Sequence, residues 1–149
     1  MTVSDTRNEQ TDTGGRAIVD LLASAGHHVV AKTIINDEPL QVAERVRRGA
    51  DAGDVDVIIT TGGTGITSRD STFEAIDGLL EKRLPGFGEL FRMLSYQDIG
   101  SAAMMSRACA GTLGKVIVVA LPGSESAVRL AMTKLLIPEL GHLVQQARR

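Results

Sequence analysis

Apolar positions along the chain follow two alternating spacings. Short β-branched runs predict strands, and longer stretches with an apolar residue every three or four positions predict amphipathic helices. The clearest run is Val57 to Thr60, inside V-D-V-I-I-T-T-G-G-T-G-I-T-S-R-D from Val55 to Asp70. It is bounded by turn residues, as a strand buried on both faces of a parallel sheet reads. Met1 to Ser4 predicts the end of an earlier strand, followed by the polar loop Asp5 to Gln10. Thr11, Asp12 and Thr13 are candidate N-caps for a helix whose apolar face is Ile18, Leu21, Leu22 and Ala25 and which Gly26 ends. Val29 to Ile35 predicts the next strand, and Asn36 to Pro39 a turn and helix start. That helix presents Leu40, Ala43, Val46 and Ala50 as its buried stripe and turns Arg45, Arg47 and Arg48 to solvent.

After Asp70, Ser71 and Glu74 spell a capping box, predicting a helix from Ser71 to about Lys82. Leu84-Pro85-Gly86 breaks the chain, and Phe87, Leu90, Phe91 and Leu94 form another helical stripe. Ala108 to Thr112 and Lys115 to Leu121 predict two strands joined by a tight turn at Leu113-Gly114. Pro122-Gly123-Ser124 opens a helix through Ala127, Leu130 and Ala131; Pro138 punctuates it, and Leu140, Leu143, Val144 and Ala147 mark a closing helix. The order β-α-β-α-β with short loops implies parallel strands and right-handed crossovers. The expected architecture is therefore a three-layer α/β/α domain with a mostly parallel central sheet and a small β-hairpin. Ligands in such folds sit beyond the carboxyl ends of the strands. Ser4 to Thr6, Asn36 to Glu38 and Thr61 to Asp70 all follow strand ends on one edge, so one pocket can collect Ser4, Asp37, Gly63 and Asp70.

Composition narrows the function classes. At 149 residues with no internal repeat the chain reads as a single domain, 1–149, large enough to bury roughly two-thirds of its unfolded surface. A net charge of −2 and four aromatics without Trp offer neither an electrostatic footprint nor a stacking platform for nucleic acid. The single cysteine, Cys109, excludes an internal disulfide and reads as a small apolar strand residue. No apolar run reaches the ~20 residues of a membrane span and no leader is evident, so the cytoplasm is the expected compartment. His27, His28 and His142 have no ligand spacing and read as structural or surface residues.

The chemistry concentrates after the strand at Val57. Gly62, Gly63 and Gly65, interleaved with Thr60, Thr61, Thr64 and Thr67, let backbone approach a ligand without a Cβ in the way. A helix start behind them would aim a positive terminus at an anion. The loop lacks the G-K-[ST] ending of a P-loop, and its G-T-G-I-T-S ends in Ser where the dinucleotide fingerprint wants Gly or Ala. A dinucleotide-dependent oxidoreductase is thereby disfavoured. Asp70 beside a phosphate cradle would repel phosphate unless a cation intervened, and Mg²⁺ held by carboxylates plus phosphate oxygens is the usual arrangement. Phe87, Phe91 and Tyr96 lie in one segment with Met93, Met104 and Met105 nearby, which fits core packing or a subunit contact.

Thr60-Thr61-Gly62-Gly63-Thr64-Gly65, Arg69-Asp70, Ser4-Asp5, Gly86-Phe87-Gly88-Glu89-Leu90-Phe91-Arg92 through Ser95-Tyr96, Ser106-Arg107 and Leu121-Pro122-Gly123-Ser124, in this order, resemble the molybdenum cofactor biosynthesis family MoaB/MogA. The match covers nearly the whole chain and is closer to the MoaB branch. The resemblance implies a molybdopterin-binding fold and Mg²⁺- and ATP-dependent adenylylation of molybdopterin, in a homotrimer or a hexamer. It places the family's two acids at Asp37 and Asp70, as catalytic and metal-binding residues. Substrate contacts then fall to Ser4, Asp5, Thr61, Gly62, Gly63, Thr64, Gly65, Pro122, Gly123 and Ser124. Glu125 departs from the Pro that many members carry after L-P-G-S. The competing class is a non-catalytic molybdopterin carrier, which would gain nothing from two acids near phosphates.

Overall fold

A computed structural model describes all residues, 1–149. Its sheet is built on β6 (Val116–Leu121), six consecutive residues all buried. Alternation along β6 sends Ile117, Val119 and Leu121 to one face and Val116, Val118 and Ala120 to the other. β3 (Val57–Thr61) pairs with it in parallel over its full length, from Val57 opposite Ile117 to Thr61 opposite Leu121. β1 (Thr2–Val3) and β2 (Ile34–Ile35) continue the parallel half. On the other side β5 (Cys109–Leu113) and β4 (Lys82–Arg83) are antiparallel additions, giving the order β2-β1-β3-β6-β5-β4. The three-layer α/β/α expectation holds, with β5 and β6 as the hairpin.

Helix α1 (Thr13–Ser24) packs on the first face of the sheet together with α4 (Pro85–Ile99), α5 (Glu125–Ala131) and α6 (Ile137–Arg148). Helices α2 (Pro39–Asp51) and α3 (Thr72–Asp77) cover the second face. Of the three N-cap candidates before α1, Asp12 is the cap: Oδ1 accepts the Gly15 N–H at 2.9 Å. Its other oxygen takes the Thr2 hydroxyl at 2.8 Å and lies 3.0 Å from Lys32 Nζ. Burial alone would push the Asp12 carboxyl up, but these partners outweigh it and hold the group below its ordinary range.

Several expected boundaries move. The strand expected over Val29–Ile35 shrinks to two residues because its neighbour β1 is only two residues long and supplies no further ladder. In the α2 stripe Ala43, Val46 and Ala50 pack against the core as expected and Val42 joins them, while Leu40 is 85 % exposed. Pro85 sits in the first turn of α4 instead of ending structure, and the buried face of α4 runs through Gly88, Phe91 and Ser95 and leaves Leu90 in solvent. The helix expected to reach Lys82 stops at Asp77, and Lys82-Arg83 becomes the edge strand. Pro138 does not punctuate the last helix. A π-turn at Met132–Leu136 precedes it, and α5 runs on into α6 without a gap. Cys109 lies half-buried in β5, and burial pushes its thiol up to about 12, as fits a packed, unreactive residue.

Candidate functional site

The glycine loop begins where β3 ends, at the carboxyl edge of the parallel strands. Gly62 (φ 102°) and Gly63 (φ 67°) both have backbone angles that disfavour a side chain. The Gly62 N–H donates to Leu121 O at 3.0 Å, carrying the β3–β6 pairing one step past the strand end. Gly63 O then accepts the amides of Thr72 at 2.9 Å and Phe73 at 3.4 Å. The helix starts where expected, after Ser71, and faces the glycines, but the Thr72 and Phe73 amides are consumed inside the loop and are not free for an anion. The capping box does not form either. Ser71 donates its hydroxyl to Asp37 Oδ1 at 3.0 Å, and Glu74 turns to Arg107.

Both acids border this loop. Thr72 also donates to Asp37 Oδ1, at 3.2 Å, and a Cβ on Gly63 would lie 2.6 Å from Asp37 Oδ2, which accepts no hydrogen bond within the protein. A Cβ on Gly65 would lie 2.6 Å from Asp70 Oδ2. That oxygen accepts the Thr67 hydroxyl at 2.6 Å and the Thr67 N–H at 2.9 Å. The Thr67 hydroxyl above all, with the Thr67 and Gly65 amides, holds the Asp70 carboxyl below the usual range against the opposing effect of burial. Asp5 joins the group: Oδ1 accepts the Asp37 N–H at 3.1 Å and Oδ2 meets Arg69 Nη2 at 2.5 Å. Ser4 folds its hydroxyl back to accept the Thr6 and Arg7 amides at 3.2 and 3.0 Å. The loops after β1, β2 and β3 thus meet on one edge.

The loop after β6 closes the same edge. Thr61 donates its hydroxyl to Pro122 O at 2.8 Å, and a Cβ on Gly123 would stand 3.3 Å from the Gly62 Cα. Ser124 caps α5 by accepting the Ala127 N–H at 3.3 Å. Thr64 is buried, at 3 % exposure, and its carbonyl accepts from Arg107. All the residues singled out from sequence, from Ser4 through Ser124, lie in these four loops or at the strand end that opens one of them.

The sequence around Ser106-Arg107 assigns Arg107 no role, since nothing local points 37 positions back to Asp70. Its guanidinium donates to the carbonyls of Thr64 at 3.1 Å, Gly65 at 2.5 Å and Asp70 at 3.4 Å. It also pairs with Glu74 and lies 5.0 Å over the Phe73 ring. One side chain therefore straps both ends of the loop to α3. Arg107→Ala leaves three carbonyls short of a donor and is expected to cost about 2 kcal/mol. Urea unfolding checks the cost, and hydrogen exchange should show the loop amides at 62–70 opening at least about tenfold more readily.

Neither carboxylate is part of a ready-made metal cluster, because no group of three or more His, Cys, Asp or Glu converges anywhere. Two acids beside a glycine loop nevertheless suit Mg²⁺, which takes one or two protein carboxylates and fills its remaining positions with phosphate oxygens and water. A cavity of about 760 Å³ lies away from this edge, between Val29–Thr33 and Val55–Ile59.

Residues 1–142 match the family model described as "Probable molybdopterin binding domain". Molybdenum cofactor biosynthesis protein B of Bacillus cereus is 52% identical over 150 residues, which cover 100% of this chain and 89% of that protein. A crystal structure of a molybdenum cofactor biosynthesis protein B superposes with a TM-score of 0.96 at 52% identity, over 99% of this chain and 92% of its own. A MogA structure superposes at 0.89 with 31% identity, over 98% of this chain and 95% of its own. The MoaB side is the nearer of the two.

Proposed function

The chain belongs to the molybdopterin-binding-domain family of MoaB and MogA, and from that footing we propose that it acts in molybdenum cofactor biosynthesis as a molybdopterin adenylyltransferase. A terminal phosphate oxygen of molybdopterin attacks the α-phosphorus of ATP. The bond from that phosphorus to the bridging oxygen breaks, and pyrophosphate leaves. No protein nucleophile is required: such a transfer is accelerated by alignment and by neutralising charge. The observation that carries the reading is the seating of Asp37 and Asp70 against two glycines of one loop.

Mg²⁺ bound there would screen the phosphates from the acids. Asp37 and Asp70 would hold it, with Ser71 and Thr72 orienting one carboxylate and Thr67 the other. Ser4, the 61–65 segment and Pro122-Gly123-Ser124 would shape the phosphate path through amides and hydroxyls that present no negative charge, and Asp5, its carboxylate paired with Arg69, would border it. Incubating the protein with ATP, Mg²⁺ and molybdopterin should release pyrophosphate and yield an adenylylated pterin. Tight pterin binding with no pyrophosphate would instead establish the carrier function.

Assembly belongs to the same reading. Leu90, Met93, Tyr96, Ile99, Met104 and Met105 are all exposed, on α4 and the turn of 3-10 helix that follows it. We assign this apolar strip to the contact of a homotrimer, or of a hexamer of two trimers. Light scattering is expected to give three or six chains per particle. Tyr96→Asp with Ile99→Asp is expected to reduce that to one. No helix is long and apolar enough to cross a membrane, and a cytoplasmic location is proposed.

A further inference from the structure

Three arginines reach the edge that carries the glycine loop, and two of them are already committed. Arg107 uses all three guanidinium nitrogens on the carbonyls of Thr64, Gly65 and Asp70 and on Glu74. Arg7 turns back on its own loop, donating to Thr11 O at 2.8 Å. Arg69, between Ser68 and Asp70, is held differently. It meets the Asp5 carboxylate through Nη2 alone, its Nε and Nη1 donate to nothing, and its side chain is 68 % exposed. Elsewhere in the molecule, Arg83 and Arg129 each grip their carboxylate with two nitrogens.

Asp5 fixes where this guanidinium stands. One of its oxygens accepts the Asp37 N–H and the other takes Arg69, so a single carboxylate separates Arg69 from the loop that carries Asp37. Asp5 first, then Glu38 and Asp37 more weakly, attract the guanidinium by charge. The edge is otherwise acidic, with Asp5, Asp37, Glu38 and Asp70 all in its loops. A triphosphate brings more negative charge to such an edge than one Mg²⁺ offsets, and its leaving portion gains more as the bond to it breaks. An ion pair as exposed as that of Arg69 with Asp5 contributes little to stability, so a polyanion can take the guanidinium over without harm to the fold. The planar fork matches two phosphate oxygens at once, and its unused nitrogens are available for them.

We propose that Arg69 is the clamp for the leaving group, turning from Asp5 to the β- and γ-phosphates when ATP binds and staying with pyrophosphate until release. The proposal rests on the adenylyl-transfer reading and gives that reaction's leaving group a residue of its own. When the bond from the α-phosphorus to the bridging oxygen breaks, its electron pair goes to the pyrophosphate. The N–H groups of Arg69 donate hydrogen bonds to the charge that gathers there, and no proton moves. Asp37 and Asp70 lie against the glycines, whereas Arg69 stands on the solvent side, from which pyrophosphate departs. Asp5 keeps the Asp37 amide throughout, so the Asp37 loop stays in place when the guanidinium turns away.

Calorimetric titration with the Mg²⁺ complexes of ATP and of pyrophosphate, beside titration with molybdopterin, tests the contact directly. Arg69→Ala is expected to weaken both phosphate ligands at least tenfold, to leave molybdopterin affinity unchanged, and to lower kcat for pyrophosphate formation by about a hundredfold. Arg69→Lys keeps the charge but loses the fork, and should recover part of the affinity and part of the rate. Urea unfolding of Arg69→Ala should match the parent, since the pair it removes is exposed. If Arg69→Ala binds pyrophosphate as tightly as the parent does, the clamp is overturned while adenylyl transfer stands. An equal loss of molybdopterin affinity would also overturn it, by showing a general disturbance of the site. A parent that binds molybdopterin but neither ATP nor pyrophosphate would overturn the adenylyl-transfer reading and the clamp together.

Discussion

Asp70→Asn is expected to slow adenylyl transfer by about a hundredfold or more while leaving molybdopterin affinity nearly unchanged. The substitution keeps the shape of the side chain, and an amide oxygen can still accept the Thr67 hydroxyl and N–H that now reach Oδ2. What it removes is the charge that would offset Mg²⁺ against the ATP phosphates. The Gly63 and Thr64 amides that would receive the pterin phosphate do not bond to Asp70 and are untouched, and loss of a neighbouring negative charge can only ease its approach. Pyrophosphate release followed beside pterin titration separates the two effects. A variant as fast as the parent would remove Asp70 from the mechanism. The pH dependence has a definite sign. Hydrogen bonding depresses the Asp70 pKa in the folded protein, so its charge and the stabilisation it brings are complete above the ordinary carboxylate value. Both are lost only as pH falls through the depressed one. Any acid limb in the rate that belongs to Asp70 must therefore lie below about pH 4.

Gly62→Ala should be the most damaging single methyl in the molecule. Its φ of 102° lies where side chains are disfavoured, and the added Cβ would be driven into the Val3 carbonyl oxygen. The obstacle is backbone of the central sheet, which cannot swing aside as a side chain would. Strain and displacement together are expected to cost about 3 to 5 kcal/mol. Against a total stability of about 5 to 15 kcal/mol, that lowers Tm by roughly 10 °C or more. Calorimetry or urea unfolding of Gly62→Ala beside Gly86→Ala gives the contrast. Gly86 lies in the first turn of α4 with nothing within 4 Å of its Cβ position, so its replacement is expected to be neutral or slightly stabilising.

The parts of the molecule that sequence made legible are those set by local rules. The β-branched run at Val57 and the apolar block at Val116 became strands because burial on both faces demands continuous hydrophobicity. Asp12 is one of three residues whose type suits an N-cap before α1, and composition alone locates the glycine loop. What stayed hidden was set by distant partners. Val29–Ile35 has strand propensity throughout, but a strand needs a neighbour, and β1 offers only two residues. Leu40 fits a helical stripe that faces solvent, because the orientation of α2 is decided by where Val42 and Val46 meet the sheet. Ser71 and Glu74 look like a capping box, but each found a stronger partner, Asp37 and Arg107 respectively, from elsewhere in the fold. Strand order alone puts the Asp37 loop on the same edge as Asp70, and only the family resemblance gives Asp37 a role. Nothing near it in sequence shows that Ser71 and Thr72 come to rest on its carboxylate.

The pairing of β3 with β6 also governs how the chain reaches this structure. Val57 meets Ile117, and the two strands share the most extensive ladder of the parallel half. The central contact of the sheet therefore closes a loop that includes α3, β4, α4 and β5, and its entropy cost falls due before the ladder returns anything. The carboxylate-lined loop hangs on that same junction through the bond from Gly62 to Leu121. During synthesis the helices of the first half can form as they emerge, but the site edge has no scaffold until β6 has left the ribosome. The geometry of the candidate site is thus among the last features the nascent chain acquires, and until then an apolar β3 must wait without its partner.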